Sequence, residues 1–366
     1  MSRLVLRNVK TVTEDVFDLT IAEGAITSLD KPGSGVGEHV IDFKESVYMS
    51  SGWIDMHVHA FKEFSPYGDD IDEIGYKLGA TTIVDAGSTG ADRIDDLVAA
   101  GRQAKTNLLA FCNISRIGLE RIDELTDKAW LDESVLVQKV QDHQDTIVGL
   151  KARISRSVVG EQGIKPLDVA RRFSEKTQLP LMVHIGSGPP DIREVLERLQ
   201  SRDIITHYLN GKANNLFDDS GQPLPAFLAA IDRGVHLDVG HGNASFSFDV
   251  ADQAKLAGIP FHTISTDIYR KNRLEGPVYS LASVLSKFIA LGYSLTEVIA
   301  AVTTSAATWL GRPELGRIEA GDAANLTLFS LEDKPLTLVD SEGAERLTQQ
   351  QINVKGVVVN GEYVEL

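Results

Sequence analysis

The 366-residue sequence has one cysteine, Cys112. An intrachain disulfide is excluded, which fits a reducing compartment. No apolar run approaches the roughly 18 residues of a membrane span. Near the N-terminus Arg3, Arg7, Lys10, Glu14 and Asp15 interrupt every apolar stretch, leaving no hydrophobic region for an export signal. A cytoplasmic location without a membrane partner is expected. Basic charge is also short: 36 Lys+Arg face 52 Asp+Glu, a net charge of −16. Polyanion binding depends on cations that neutralise phosphates, so nucleic acid is excluded as the main partner. A small anionic substrate is not excluded, because a pocket can carry either sign. No repeat and no low-complexity tract is present. With 43% hydrophobic and 24% charged residues, the chain can bury a sizeable core.

Both ends of the chain read as β structure. Leu4-Val5-Leu6, Phe17 to Ile21 and Ala25-Ile26-Thr27 precede the turn cluster Pro32-Gly33-Ser34-Gly35. Ala324 to Phe329, Val354 to Val359 and Tyr363-Val364 around Asn360-Gly361 form the counterpart. Between them, strand candidates alternate with amphipathic helices. The strands are Gly52–His59, Thr81–Ala86, Leu108–Ile114, Ile147–Ile154, Leu181–Ile185, Ile204–His207, Val235–Val239 and Phe261–Asp267. Strand–helix alternation implies parallel pairing, and eight such units close into a (β/α)8 TIM barrel. The expected fold class is thus α/β: residues 51–315 form the barrel, and 1–50 plus 316–366 form a small β-sandwich domain.

Barrel chemistry sits where the strands end. His57 and His59 close the first strand two residues apart, so both side chains face one way and one metal can bind both. His184 ends the fifth strand, His207 the sixth and Asp267 the eighth. Singly, each reads as a strand-terminal polar group bonded to a loop. Together they make an imidazole–carboxylate set suited to divalent metals. Lys151 lies within the apolar strand Ile147–Ile154, where an unpaired ammonium is costly and the neutral amine is favoured. Alone, Lys151 reads as a lysine snorkelling to the barrel mouth or salt-bridged to an acid; beside the histidines it reads as a neutral amine that can add carbon dioxide, giving a carbamate whose two oxygens can bridge two ions.

Gly52-Trp53-Ile54-Asp55-Met56-His57-Val58-His59, Leu150-Lys151, His184, His207 and Asp267 resemble the metal motifs of the amidohydrolase superfamily. Gly316 to Leu326 resembles the tail that re-enters its small β domain. Lys151 to Gly160 and Asp238-Val239-Gly240-His241-Gly242 resemble its amidohydrolase/deacetylase branch, whose members are often named dihydroorotase or adenine deaminase. The resemblance implies two divalent ions, zinc above all. His57, His59 and Asp267 would hold one, His184 and His207 the other, with carboxylated Lys151 between them. It further implies that Asp267 acts as general base and then general acid towards a metal-activated water. Deaminases of the superfamily carry a Glu near strand five, and Ile185-Gly186-Ser187-Gly188-Pro189 offers none. The expected reaction is hydrolysis of an amide or ester in a small N-acyl or O-acyl compound, acetylated and carboxylate-bearing. The alternatives are cyclic-amide hydrolysis of the dihydroorotase or hydantoinase type and a catalytically silent scaffold.

Substrate contacts are less legible. Arg153 and Ser155 share the parity of Lys151, so Arg153 reads either as a partner for a substrate carboxylate or as a rim ion pair. His241, in a Gly-flanked turn after strand seven, is the leading non-metal contact, against simple turn polarity. Gly87-Ser88-Thr89-Gly90 can offer backbone N–H groups to an anion, although such a turn needs no function. The polar stretch Tyr208–Pro223 is long for a loop of this kind. It reads as a cover for the site or as a contact in a homo-oligomer. Cys112, Trp53 and Trp309 read as packing residues.

Overall fold

The computed structural model describes residues 3–366. The apolar runs in the middle of the chain form a seven-stranded parallel sheet in sequential order. Its strands are β1 Trp53–Val58, β2 Ala80–Ala86, β3 Asn107–Asn113, β4 Ile147–Ile154, β5 Leu181–Ile185, β6 Ile204–Thr206 and β7 His236–Asp238. Every residue of β1 and β2 is buried, as parallel strands covered on both faces require. Helices follow the strands and bury one face each into a shared apolar core. In Lys165–Thr177, Leu167, Ala170 and Phe173 fall on one face at helical spacing and are buried. Pro166 starts that helix, and Gln178, in the left-handed region, ends it. Replacing Phe173 by Ala would cost about 3–5 kcal/mol.

The expected eighth strand, Phe261–Asp267, does not form a regular strand. Isolated bridges join Thr263 to Asp238 and Ile268 to Val58. Asp267 N donates to His57 O at 2.7 Å on one side, and His241 N donates to Ser265 O at 3.1 Å on the other. Two buried carboxylates account for the irregularity. Asp238 accepts from the hydroxyls of Thr263 and Ser265, at 2.7 Å each. Asp55 accepts from the backbone N–H and the hydroxyl of Thr266, at 3.1 and 2.6 Å. Side-chain bonds of this kind compete with a strand ladder. The segment therefore nearly closes the barrel without completing its pairing.

Both chain ends meet in a separate eight-stranded, mostly antiparallel sheet. Its two halves join where Leu326–Phe329 pairs antiparallel with Tyr48–Ser51. Leu6, Leu19, Ile21, Met49, Leu326 and Val358 form its core. The strands Leu326–Val339 and Glu345–Val359 run far beyond the segments expected from sequence. Their paired ribbon leaves the sheet and lies on the helix Leu281–Ala290, where Ile352 N donates to Ser286 Oγ at 2.9 Å. At its tip Asp340 accepts from Phe248 N at 2.9 Å, and Ser341 Oγ donates to Gly242 O at 2.8 Å. The ribbon thus reaches the loop after β7. Among the described residues, no helix is long and apolar enough to cross a membrane. Cys112 is buried and unpaired, and burial pushes its thiol up to about 12.

Candidate metal centre

Strand parity brings Asp55 and His57 of β1, with His59 just beyond it, to one face of the barrel. His57, His59, Lys151, His184, His207 and Asp267 all line one cavity of about 220 Å³. His59 Nε2 lies 3.0 Å from Asp267 Oδ1, and His57 Nε2 lies 3.5 Å from it. The His207 ring is 5.0 Å from that of His57 and 4.5 Å from that of His184. One ligand atom each from His57, His207 and Asp267 lie within 4.8 Å of one another. His207 and Asp267 both have left-handed backbones, with φ of 69° and 52°. Such conformations in non-glycine residues are strained and cluster at functional sites.

The far sides of the His57, His59 and His207 rings are fastened. His207 Nδ1 donates to Gly240 O at 2.6 Å, so the neutral ring carries its lone pair on Nε2. That Nε2 is buried with no hydrogen-bond partner. His57 Nδ1 lies 2.8 Å from Thr206 Oγ1, whose hydroxyl donates onward to Asp238 Oδ2 at 2.9 Å. The imidazole must then donate through Nδ1, leaving its Nε2 free to bind. His59 Nδ1 lies 2.9 Å from Ser88 Oγ. Rings held from behind, with lone pairs facing a shared space, are the arrangement that metal-binding histidines need. Burial holds His57, His184 and His207 well below the usual imidazole range, so they stand as neutral imidazoles. Burial pushes the Asp267 carboxyl up, while its contact with His59 pulls the other way. These residues fit divalent metal.

Lys151 is 1% exposed. Its Nζ lies 3.2 Å from His57 Nε2 and 3.3 Å from Met182 Sδ. Burial, with Arg153 adding to it, pushes the ammonium down to about 7 against the pull of Asp267. Gly87 makes room for this side chain: a Cβ there would lie 2.5 Å from Lys151 Cβ. The turn Gly87-Ser88-Thr89-Gly90 thus admits the lysine and, through Ser88, orients His59.

Arg153 and Ser155 also line the cavity, but Arg153 is engaged by Glu124, with Nη1–Oε2 at 3.2 Å. The structure does not bring His241 to the cavity. Its side chain is fully buried, with Nε2 2.7 Å from Lys287 Nζ and its ring stacked on Phe246 at 4.6 Å. The glycines beside it serve other groups. A Cβ on Gly240 would lie 2.3 Å from Thr206 Oγ1, and one on Gly242 would lie 2.4 Å from Asp267 Oδ2. Lys212, from the Tyr208–Pro223 stretch read as a cover for the site, also lines the cavity, as do Tyr67, Asn243 and Tyr269, which were not singled out from sequence. Lys212 and Asn243 sit in the loops after β6 and β7, whose position at strand ends was the available signal.

An amidohydrolase family model matches residues 48–364. A protein named deacetylase from Enterococcus faecalis is 39% identical over 361 residues, covering 98% of each chain. A solved structure described as an adenine deaminase matches with a TM-score of 0.96 at 38% identity, over 99% of both chains. One described as a dihydroorotase matches with a TM-score of 0.91 at 29% identity, over 100% of this chain and 99% of that one. The names disagree on the reaction and agree on the scaffold. The chain belongs to the amidohydrolase family and is a metal-dependent hydrolase.

Proposed function

We propose that the protein hydrolyses an amide or ester bond in a small N-acyl or O-acyl compound, acetylated and carboxylate-bearing. The observation that carries this reading is that Asp267 is the only carboxylate among the described residues lining the cavity. The Glu near strand five that superfamily deaminases use as a proton shuttle has no counterpart in the cavity lining. Glu124, the nearby acid, is fully buried behind Arg153 and does not line the cavity. A single acid suffices for acyl transfer to water, because the proton taken from water can return to the leaving group.

His57, His59 and Asp267 would hold one divalent ion, and His184 and His207 a second, with carboxylated Lys151 shared between them. Zinc suits this donor set. Bound ions would polarise the scissile carbonyl and lower the pKa of water. Asp267 takes the proton from the attacking water and delivers it to the departing amine or alkoxide. His57 and His207 keep their Nε2 atoms unprotonated through Thr206 and Gly240, and Ser88 holds the far side of the His59 ring. Tyr67 and Tyr269 line the same cavity, with ring centroids 5.1 Å apart.

A cyclic amide would meet the same residues, and the dihydroorotase-like structure favours that second reading. Acetylated amino acids, acetylated hydroxy acids and ring amides, assayed side by side after zinc loading, separate the two. Turnover of the acetylated acids is expected. Turnover confined to rings, or ammonia release from adenine, would reject the deacetylase reading.

A further inference from the structure

Lys212 is a cation of the cavity that forms no ion pair among the described residues. It lies in the loop after β6, and bonds on either side fix that loop. Asn210 Nδ2 donates to His207 O at 2.8 Å, while Asn210 Oδ1 accepts from Lys212 N at 3.1 Å. Two residues further on, Asn214 Nδ2 donates to the carbonyls of Gly186 and Pro190, both at 3.1 Å. The lysine is thus presented from a backbone tied to β6 and to the loop after β5.

Its side chain stands on the lip between two spaces. Lys212 and Ser187 line both the metal cavity and an adjoining cavity of about 490 Å³, whose walls also include Asn214, Phe217 and the carboxylates Asp191, Asp218 and Asp219, none of them ion-paired with Lys212. Gly186 permits the approach: a Cβ there would lie 2.9 Å from Ser155 Oγ and 3.4 Å from Lys212 Nζ. A hydroxyl and an ammonium therefore converge over one bare Cα. Ser155 precedes the short helix Arg156–Val159 without making a side-chain cap bond.

The other cations of the cavity are occupied. Arg153 pairs with Glu124 at 3.2 Å, and Lys151 turns to His57 and Met182. No ion pair joins Lys212 to an acid among the described residues. Burial lowers its ammonium from the ordinary value, and Asp267 opposes the shift from across the cavity. A half-buried cation without a counter-ion is costly until an occupant supplies negative charge.

We propose that Lys212, with Ser155, receives the substrate carboxylate at this lip, and that Lys212 rather than Arg153 sets the preference for acids over neutral acyl compounds. The assignment rests on the hydrolase reading above. N-acetylglycine and N-acetylglycinamide differ at one group, a carboxylate in the first and an uncharged carboxamide of similar shape in the second. In Lys212→Met, the ratio of kcat/KM for the acid to that for the amide should fall about 10- to 100-fold, the range for a hydrogen bond to a charged group. Lys212→Arg should restore most of the ratio. Calorimetric titration of the metal-free protein with N-acetylglycine should show weaker binding to Lys212→Met by a similar factor. An unchanged acid-to-amide ratio, or equal acid binding by the wild type and Lys212→Met, would overturn the assignment while leaving the hydrolase intact. If the wild type turns over neither compound, the substrate class falls, and the titration alone decides whether Lys212 holds a carboxylate.

Discussion

Thr206 stands between His57 and Asp238, 2.8 Å from the ring Nδ1 and 2.9 Å from the carboxylate oxygen to which its hydroxyl donates. The chain of bonds runs in one direction and fixes which nitrogen of His57 faces the cavity. Thr206→Val keeps the shape and breaks the relay. Metal affinity should drop roughly 10- to 100-fold, as for other losses behind a ligand histidine. Competition with a chromogenic chelator measures it. Affinity equal to that of the wild type would show that the relay does not orient the ligand.

Lys151 is expected to be the side chain on which metal loading depends. Lys151→Ala should retain less than half of the metal taken up by the wild type and lose turnover, with short carboxylates such as propionate restoring part of both. Elemental analysis and intact mass under carbon dioxide test the carbamate. Full metal content in the variant would remove the bridging role.

For Asp267→Asn, metal should remain largely bound while kcat falls by roughly 10²–10⁴, the usual contribution of a positioned acid–base group. The amide keeps an oxygen donor and cannot carry the proton. Turnover within a few-fold of the wild type would assign the proton transfer to another group.

Away from the cavity, Lys287 gives the fold a pH signature. Its Nζ faces His241 Nε2 at 2.7 Å and Pro277 O at 2.9 Å. Burial pushes it down to about 7, with Asp340 pulling the other way. The unfolded chain holds this proton up to about 10.4, so between pH 7 and 10 it binds more protons than the folded protein. Stability contributed by this site should therefore rise with pH across that window. The melting temperature of the wild type minus that of Lys287→Met should increase from pH 7 to pH 10. A flat or falling difference would mean that Lys287 is protonated in the fold.

Much of the site was legible because barrel topology turns strand ends into one rim. His57, His59, His184, His207 and Asp267 were found by where their strands stop. Lys151 was found because an ammonium does not belong in an apolar strand. What was lost depends on contacts between distant segments. His241 reads from sequence as a substrate contact in a Gly-flanked turn, yet Gly240 and Gly242 are small to admit Thr206 and Asp267, and His241 turns inward onto Lys287. The eighth strand has the right composition, but Asp55 and Asp238 capture the hydroxyls of Thr263, Ser265 and Thr266. The long ribbon was missed because Glu332, Asp333, Lys334 and Pro335 break its alternation. It is held by pairing and by Ser286, neither of which a single-segment pattern reveals.

The tip of that ribbon couples parts of the protein that look separable. Asp340 holds the start of the helix Phe248–Leu256, and Ser341 grips the carbonyls of His241 and Gly242, just before Asn243 enters the cavity wall. The C-terminal tail is consequently a brace for the catalytic rim. Swapping it for a relative's tail, or trimming it to free the barrel, would slacken the turn on which Asp267 rests.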